Sequence, residues 1–360
     1  MANPITVLES LNNGLQRAMA QDGRVLLLGE DLLDPYGGAF KVTRGLSTAY
    51  PERVLSTPIS EAGIVGLTAG LAMRGMLPVV EIMFGDFLTL AADQIINHIA
   101  KFSWMYSGGK ETGDQVSLPL VIRTPMGGRR GYGPTHSQTL EKFFLGIPGI
   151  RVVAPTNLSW YDSLSPGDLL TQAILLDREP VLFIENKLLY LLPVYNSDNL
   201  PDWEVSINKP ATGPMYPTYQ LQLRGAPPAQ ITLTAYGYMA ELARQAALRL
   251  AFEFEIFSEL VFPTQLTPFH GSARNTFFSP LFASIERTNR LLTIEEGTIS
   301  LGWGAEILAR SMECCTGRIH TAGRIAAQEF PIPSSGPLEE AVLPGVNGII
   351  EKCLELVHSR

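Results

Sequence analysis

The chain has 360 residues, of which 46% are hydrophobic and 17% are charged, and its formal net charge is -8. This length accommodates two domains with sizeable cores, and the low share of charged residues indicates more buried surface than a monomer needs, so we expect an oligomer. The acidic balance, with no basic run or stripe, argues against nucleic acid or an anionic membrane as the partner.

Cysteine usage and the amino terminus bear on the compartment. The sequence has three cysteines, an odd number that is typical of a reducing compartment, and neither its cysteines nor its histidines have metal-ligand spacing. Its first residues lack a basic stretch followed by an apolar core, and no uncharged stretch of about 18 residues is present. We therefore expect a soluble, cytoplasmic protein without a transition-metal site.

Short apolar runs alternate with helical patterns along the first half of the chain. The runs predict strands at Val25–Leu28, Val79–Met83, Leu120–Arg123, Val152–Ala154 and Val181–Ile184. The helical patterns extend from Ile5 to Ala20, from Ser60 to Arg74 and from Leu88 to Lys101. This alternation predicts an α/β fold with a doubly wound, mainly parallel sheet and helices on both faces.

The composition changes between residues 193 and 228, where seven prolines occur and helical periodicity is weak. We interpret this stretch as a linker. An apolar run at Ile231–Gly237, followed by an alanine-rich helix to about Phe252, then begins a second, smaller α/β domain. The predicted organisation is a first domain at 1–192, a linker at 193–228 and a second domain at 229–360.

The second predicted helix begins with a carboxylate and contains three glycines on one face. Ser60 suits the N-cap, and Glu61 suits the positive end of the helix dipole. Gly63, Gly66 and Gly70 recur at spacings of three and four residues. Each costs about 1 kcal/mol relative to alanine, which a helix tolerates mainly where another backbone comes close. This face therefore predicts a helix–helix contact between subunits.

The spacing of Glu61, Gly66-Leu67 and Gly70 resembles the signature of the pyrimidine-binding domain of thiamine diphosphate enzymes. Seven blocks in order then resemble the β subunit of 2-oxo acid dehydrogenases: Gly29–Asp31, Gly37–Leu46, Thr57–Glu61, Pro78–Phe84, Asp93–Asn97, Arg123–Gly128 and His136–Gln138. The resemblance is dense over residues 5–195. Over 230–350 it is thinner and points to the carboxy-terminal domain of the transketolase superfamily.

The resemblance implies a role for five side chains. In this family a glutamate hydrogen-bonds the aminopyrimidine ring of thiamine diphosphate and starts the proton relay that activates it, which implies a catalytic and cofactor-binding Glu61. It also implies that Phe87 stacks on that ring, and that Ile59 and Met83 line the pocket. His136 is implied to donate to the substrate or to assist proton transfer. Taken singly, residues of these types are more often ordinary core or surface residues.

One half of the family's cofactor site is missing. The family anchors the diphosphate through Mg²⁺ with a Gly-Asp-Gly segment, which this sequence lacks. The resemblance therefore implies an α subunit that carries the Mg²⁺ ligands, in an α2β2 tetramer. Some members also hold K⁺ with backbone carbonyls, which would here be those of Leu120, Ala173, Ile174 and Asp177. One residue more than the family pattern lies between Ala173 and Pro180, which argues against that cation site.

The function implied is decarboxylation of a 2-oxo acid, by default pyruvate, with transfer of the acyl group to a lipoyl acyltransferase core. Two alternatives remain open. Departures from the family pattern in the second domain favour a two-component, transketolase-like acyl or ketol transferase with a different acceptor. A non-catalytic scaffold subunit is a third reading, against which the retained Glu61, Phe87 and His136 speak.

Overall fold

The computed structural model describes residues 4–106, 116–161, 163–210, 213–267 and 278–359. In the first half of the chain the strands are β1 (Val25–Gly29), β2 (Val54–Ser56), β3 (Leu77–Glu81), β4 (Val121–Met126), β5 (Arg151–Val153) and β6 (Val181–Asn186). The helices are α1 (Val7–Gln21), α2 (Leu46–Ala49), α3 (Glu61–Met73), α4 (Ala100–Tyr106), α5 (Lys142–Leu145) and α6 (Pro166–Leu175). The strands form one parallel sheet in the order β2-β1-β3-β4-β6-β5.

Both faces of this sheet are covered by helices. Along β3, Val79 packs in the core that α1 and α6 share with the sheet, whereas Val80 packs in the core on the α3 side. Successive side chains of a strand point to opposite faces, so a strand buried on both faces is apolar throughout. The predicted doubly wound α/β fold is confirmed, with strand ends that differ from the prediction by a few residues.

The helix predicted from Leu88 to Lys101 is wrong as a single element. A 3₁₀-helix spans Gly85–Ala91 and a π-helical turn spans Gln94–Ile99, and regular α-helix begins only at Ala100. The start of the segment is fixed by a tertiary contact, because a Cβ on Gly85 would lie 2.3 Å from the Met126 side chain on β4. This contact holds the segment against the end of the sheet.

The second half of the chain forms a mixed sheet in the order β12-β11-β9-β10-β8-β7. Its strands are β7 (Trp203–Asn208), β8 (Thr218–Leu223), β9 (Ile231–Ala235), β10 (Ser258–Pro263), β11 (Arg290–Thr298) and β12 (Thr321–Ala327). Its helices are α7 (Tyr238–Phe254), α8 (Ser279–Thr288), α9 (Trp303–Cys314), α10 (Gly336–Val342) and α11 (Val346–His358). Strands β9 to β12 are parallel; β8 pairs antiparallel with β10, and β7 pairs antiparallel with β8.

The stretch 193–228, interpreted from the sequence as a linker, thus contains two strands of the second sheet. Strand β7 pairs with β8, and β8 pairs with β10. The prolines of the stretch lie before, between and after the two strands, so both strands keep every backbone N–H that a sheet requires. The prolines predicted the turns of this stretch correctly, but they led us to overlook the two strands that lie between the turns.

In the described part of the chain, no helix is long and apolar enough to cross a membrane. The three cysteines are free: Cys314 is exposed, and Cys315 and Cys353 are buried. The two buried thiols contribute to packing.

Helices α1 and α6 pack at backbone contact through glycines. A Cβ on Gly167 would lie 1.8 Å from the carbonyl oxygen of Ser10, and one on Gly14 would lie 2.3 Å from the carbonyl oxygen of Gly167. The Thr171 hydroxyl donates to the Gly14 carbonyl at 3.0 Å. By contrast, a Cβ on Gly70 of α3 would meet none of the described residues within 4 Å. The glycine face of α3 is thus open at Gly70, whereas the Gln94 side chain lies against Gly66. The contact of this face with another subunit stays a prediction.

The variant Gly167→Ala is expected to lower the free energy of unfolding by about 1–3 kcal/mol or more, because the added methyl group overlaps the Ser10 carbonyl and α1 must shift. Urea unfolding followed by circular dichroism measures this loss. Gly70→Ala is the matched control, and it should leave the stability of the chain unchanged or raise it by up to about 1 kcal/mol. Equal effects of the two substitutions would contradict the packing described here.

Candidate active site

The parallel sheet has a topological switch point between β1 and β3. Strand β2 lies on one side of β1, and β3 lies on the other side. The connections that follow β1 and β2 therefore lead to opposite sides of β1. Ligands of open α/β sheets bind in the crevice beyond the carboxyl ends of the strands at such a point. Glu30 follows β1, Glu61 lies five residues beyond β2, and Phe87 lies six residues beyond β3.

Glu61 is the first residue of α3, as predicted, and is 7% exposed. Ser60 occupies the N-cap position, as predicted, although its side chain makes no capping hydrogen bond. Its φ of -168° and ψ of 79° differ from the usual N-cap conformation. Within the described ranges no hydrogen bond to the Glu61 carboxylate is present. The helix start therefore offers a largely buried carboxylate that is available to a ligand.

A second carboxylate stands near Glu61. Burial, followed by the charges of Glu61 and Asp31, raises the pKa of Glu30 above its ordinary value. A neighbouring negative charge favours the protonated form of a carboxyl group, and burial of Glu30 acts in the same direction. Glu30 was part of a sequence block that pointed to the family, but only the fold places it next to Glu61.

An aromatic group consisting of Phe84, Phe87, Tyr132 and His136 lies beyond the end of β3. The ring centroids of Phe87 and His136 are 5.2 Å apart at an angle of 78°. Phe84 contacts both, with its centroid 4.8 Å from that of His136 and 5.7 Å from that of Phe87. Edge-to-face contacts of this kind fix the orientation of each ring. The structure thus brings Phe87 and His136 together, and Phe84, which sequence reasoning missed, joins them.

The remaining predicted pocket residues lie in different surroundings. Met83 is half-buried just before Phe84, and α3 packs against the 3₁₀ segment that carries Phe87. Ile59, in contrast, is 82% exposed. In this chain Ile59 therefore lines no closed pocket, and its predicted role needs a second surface.

Carboxylates of the second domain hold the loop that carries His136. Glu296 on β11 accepts hydrogen bonds from the Gly128 N–H at 2.7 Å and from Asn186 Nδ2 at 2.7 Å. Glu339 on α10 accepts from the Arg129 N–H at 2.6 Å and from the Gly131 N–H at 3.2 Å. These bonds tie the loop at its start, so both domains contribute to the geometry of the site.

Lys187 and Asp86 hold the same loop closer to His136. Lys187 follows β6 directly, is 1% exposed, and donates a hydrogen bond to the main-chain carbonyl of His136. The Asp86 carboxylate accepts from the side-chain amide of Gln138 at 3.2 Å. Burial lowers the pKa of Lys187 to about 8 and raises the pKa of Asp86. Sequence reasoning missed both residues, although a lysine directly after an apolar strand was visible.

A buried ion network crosses three neighbouring strands below the site. The Arg123 guanidinium on β4 donates to Glu81 on β3 at 2.7 Å and to both oxygens of Glu185 on β6 at 2.7 and 2.8 Å. The Tyr190 hydroxyl donates to Glu185 at 2.7 Å. Burial opposes the charge of Arg123, but the two carboxylates outweigh it and hold its pKa above the ordinary value. Charged, bidentate pairing of this kind fixes the three strands laterally.

Two buried carboxylates that form no ion pair with a described residue lie between the domains. Glu141 and Glu295 are fully buried, and the Tyr236 hydroxyl donates to Glu141. The Gly304 N–H donates to Glu295 at 2.9 Å. Burial, and then the charge of Glu141, raises the pKa of Glu295 to about 8, so this side chain carries its proton at neutral pH.

Two of the four residues of the predicted K⁺ site, Leu120 and Asp177, have partners in the chain, which for Asp177 bind its side chain. The Leu120 carbonyl accepts the Val181 N–H at 2.9 Å. The Asp177 carboxylate lies 2.8 Å from Arg151 Nε and accepts from the Tyr216 hydroxyl at 3.1 Å. Because Arg151 balances the buried charge of Asp177, no metal ion is needed there for neutrality. Elsewhere among the described residues, no three His, Cys, Asp or Glu side chains converge in a way that could hold a metal ion.

Comparison with known proteins places the two domains. Residues 3–191 match the family model of the transketolase pyrimidine binding domain, and residues 224–349 match that of the transketolase C-terminal domain. A solved structure of a split gene transketolase, in an inactive β4 tetramer, has a TM-score of 0.69 at 19% identity over 98% of each chain. At this identity the likeness is one of fold.

Curated relatives match along nearly the whole chain. The mitochondrial pyruvate dehydrogenase E1 component subunit beta of Pisum sativum is 35% identical over 99% of this chain and 91% of its own length. The corresponding subunit beta-2 of Oryza sativa subsp. japonica is 35% identical over 97% and 85%. The subunit beta of the acetoin:2,6-dichlorophenolindophenol oxidoreductase of Bacillus subtilis is 32% identical over 99% and 98%.

Arg123→Met is expected to lower the free energy of unfolding by about 3–5 kcal/mol, because it leaves the carboxylates of Glu81 and Glu185 buried without a cation. Urea unfolding at pH 7 measures the loss. The exposed Arg249, which forms an ion pair within α7, provides the control variant Arg249→Met, for which we expect about 1 kcal/mol or less. A loss for Arg123→Met no larger than that of the control would show that the network does not stabilise the sheet.

The raised pKa of Glu295 makes stability depend on pH. The folded protein retains a proton that the unfolded chain releases near pH 4.5, so stability falls as pH rises from about 5 to about 8. The slope assigned to this one group is on the order of 1 kcal/mol per pH unit. Thermal unfolding of the wild type and of Glu295→Gln across this range isolates it by difference. Parallel stability curves for the two proteins would mean that Glu295 ionises normally.

Proposed function

This chain belongs to the transketolase-like family that includes the E1 β subunits of pyruvate dehydrogenase, and on that premise we propose that it is the β subunit of a heteromeric, thiamine diphosphate-dependent 2-oxo acid dehydrogenase. One observation carries the proposal. The Glu61 carboxylate lies at the start of α3, largely buried and without a hydrogen bond from the described residues. A carboxylate in that state is suited to bind a ring nitrogen.

The residues present fit the aminopyrimidine end of thiamine diphosphate. Glu61 would bind a ring nitrogen, and the half-buried ring of Phe87 would stack on the pyrimidine, with Met83 beside it. When bound, the cofactor supplies the electron sink for decarboxylation. The residues do not fit its diphosphate end, since the sequence has no Gly-Asp-Gly segment.

The chain's own side chains have three tasks in this proposal. Glu61 binds the ring nitrogen through its carboxyl group and starts the proton relay there. The aromatic group keeps water from the reacting centre and fixes the plane of His136. The His136 imidazole then donates to the substrate or takes up a proton from it.

A partner chain completes the site. We propose an α subunit that contributes the Mg²⁺ ligands and covers the exposed apolar side chains around α3, among them Ile59 and Leu67, in an α2β2 assembly. The acyl acceptor would be the lipoyl domain of an acyltransferase core. Pyruvate is the first substrate to test, since it is named for the relatives from pea and rice. The proposal includes no K⁺.

For the location we propose the cytoplasm. The three free cysteines fit a reducing compartment. The relatives from pea and rice are named as mitochondrial, and the Bacillus subtilis relative is not. Fractionation of the source cells decides between the compartments.

Calorimetric titration of thiamine diphosphate with Mg²⁺ tests the split site. We expect binding to the chain co-expressed with its candidate α partner and none to the chain alone, because the diphosphate ligands are on the partner. Glu61→Gln should then reduce decarboxylation of pyruvate by the complex by at least about 100-fold, since the amide cannot serve as the proton relay. Glu52→Gln changes an exposed side chain two residues before β2. This variant is the control and should retain activity.

Two outcomes would contradict the proposal. Full activity of the Glu61→Gln complex would remove the catalytic assignment. Tight cofactor binding by the lone chain would mean that this chain holds the diphosphate itself. If the complex decarboxylates pyruvate but a lipoyl domain does not raise turnover, the acceptor is a different molecule.

A further inference from the structure

We propose that Lys187 is a positioning residue, which fixes the His136 imidazole against Phe84 and Phe87 by holding the main-chain carbonyl of His136. This inference rests on the proposed role of His136. It adds a residue from the end of β6 to a site otherwise built from the segments that follow β1, β2, β3 and β4.

The contacts of Lys187 all lie around His136, which supports a role in holding that residue. Its ammonium group donates to the His136 carbonyl and lies 5.2 Å from the ring centroid of Phe84 and 5.4 Å from that of Tyr132. Both rings belong to the aromatic group, and Phe84 also contacts the His136 ring at 4.8 Å. One cation thus binds the backbone of His136 and the faces of two rings that border its imidazole. Its removal would loosen both supports at once.

Asp86 completes the restraint from the other side of the histidine. Its carboxylate accepts from the Gln138 side-chain amide at 3.2 Å, while Lys187 holds residue 136. The two side chains therefore restrain the loop on either side of Ser137, which is itself fully buried. The Lys187 stem is buried as well, which leaves its ammonium little freedom to find another partner.

Burial destabilises the ammonium group of Lys187, and the neighbouring carboxylates offset only part of this destabilisation. The charges that act on Lys187 are the carboxylates of Asp86, Glu296 and Glu339, which favour its charged form, and the guanidinium of Arg130, which opposes it. Burial outweighs the carboxylates, and the pKa falls to about 8. A hydrophobic residue would avoid this cost, so the energetics favour a role for the charge beyond packing.

The decisive experiment compares Lys187→Met with wild type in the full chain, without cofactor. Carbethoxylation by diethyl pyrocarbonate, mapped by mass spectrometry, reports the accessibility of His136 relative to the exposed His358. We expect this ratio to rise about tenfold in Lys187→Met, because a charged hydrogen bond is lost. Hydrogen exchange of the peptide spanning 131–138 should accelerate in parallel. Lys142→Met is the control, since Lys142 also donates to a loop carbonyl, that of Ser300, on another surface.

The assembled enzyme gives a second readout, which a merely structural role would not produce. In the complex with its α partner, Lys187→Met should lower kcat by about 10-fold or more, while the affinity for thiamine diphosphate stays within about twofold, because Glu61 and Phe87 remain in place. If the complex binds no cofactor at all, the proposed function fails. The accessibility of His136 still decides the role of Lys187.

A measurement on the wild type tests the proposal even if the Lys187→Met variant does not fold. Above about pH 8 the ammonium of Lys187 loses its proton, so the His136 to His358 modification ratio should rise between pH 7 and pH 9. The inference is overturned if the folded Lys187→Met chain shows no greater His136 reactivity or loop exchange than Lys142→Met. A flat ratio across this pH range in the wild type would overturn it equally.

Discussion

The buried guanidinium of Arg123 is the constraint on which the site depends. It joins β3, β4 and β6 through Glu81 and Glu185, at distances of 2.7 and 2.8 Å. The segments that carry Phe84 and Phe87, His136, and Lys187 leave the sheet shortly after these three charged residues. Ion pairs in a dry interior are costly unless their geometry is good, and here each oxygen of Glu185 has a donor. Lateral movement of one strand would therefore displace the site and also break the network.

The second domain takes part in the site as well as in the core. Glu296 and Glu339 reach across to the backbone of the loop that begins at Gly128. One hydrophobic cluster contains Ile122 and Ile184 of the first sheet together with Trp303 and Leu291 of the second half. Because these contacts are polar at the loop and apolar beneath it, the orientation of the domains determines where His136 lies. A change in this interface would therefore displace the loop that carries His136, without altering any residue that contacts a ligand.

The sequence predicted much of the first domain and part of the site. Apolar runs located the buried parallel strands, since a strand covered on both faces must be apolar throughout. A carboxylate followed by spaced glycines located the start of α3. Hydrophobic periodicity gave a wrong prediction where tertiary contacts determine the conformation, as in the 3₁₀ segment after β3. The high proline content led to the incorrect prediction of a linker where β7 and β8 lie. Lys187 and Asp86 belonged to no motif, and Glu30 belonged to one that did not connect it with Glu61. The proximity of these residues to Glu61 and His136 arises only from the order of the strands.

By itself the sequence determined the fold class and the family, because apolar periodicity and residue type at fixed spacing are local properties. The tertiary structure alone decided which charges stand together. Glu30 meets Glu61 because β2 lies beside β1, and Lys187 meets His136 because β6 lies beside β4. These pairs are 31 and 51 residues apart along the chain. Electrostatic and hydrogen-bond energies depend on distance in space, which sequence separation does not encode.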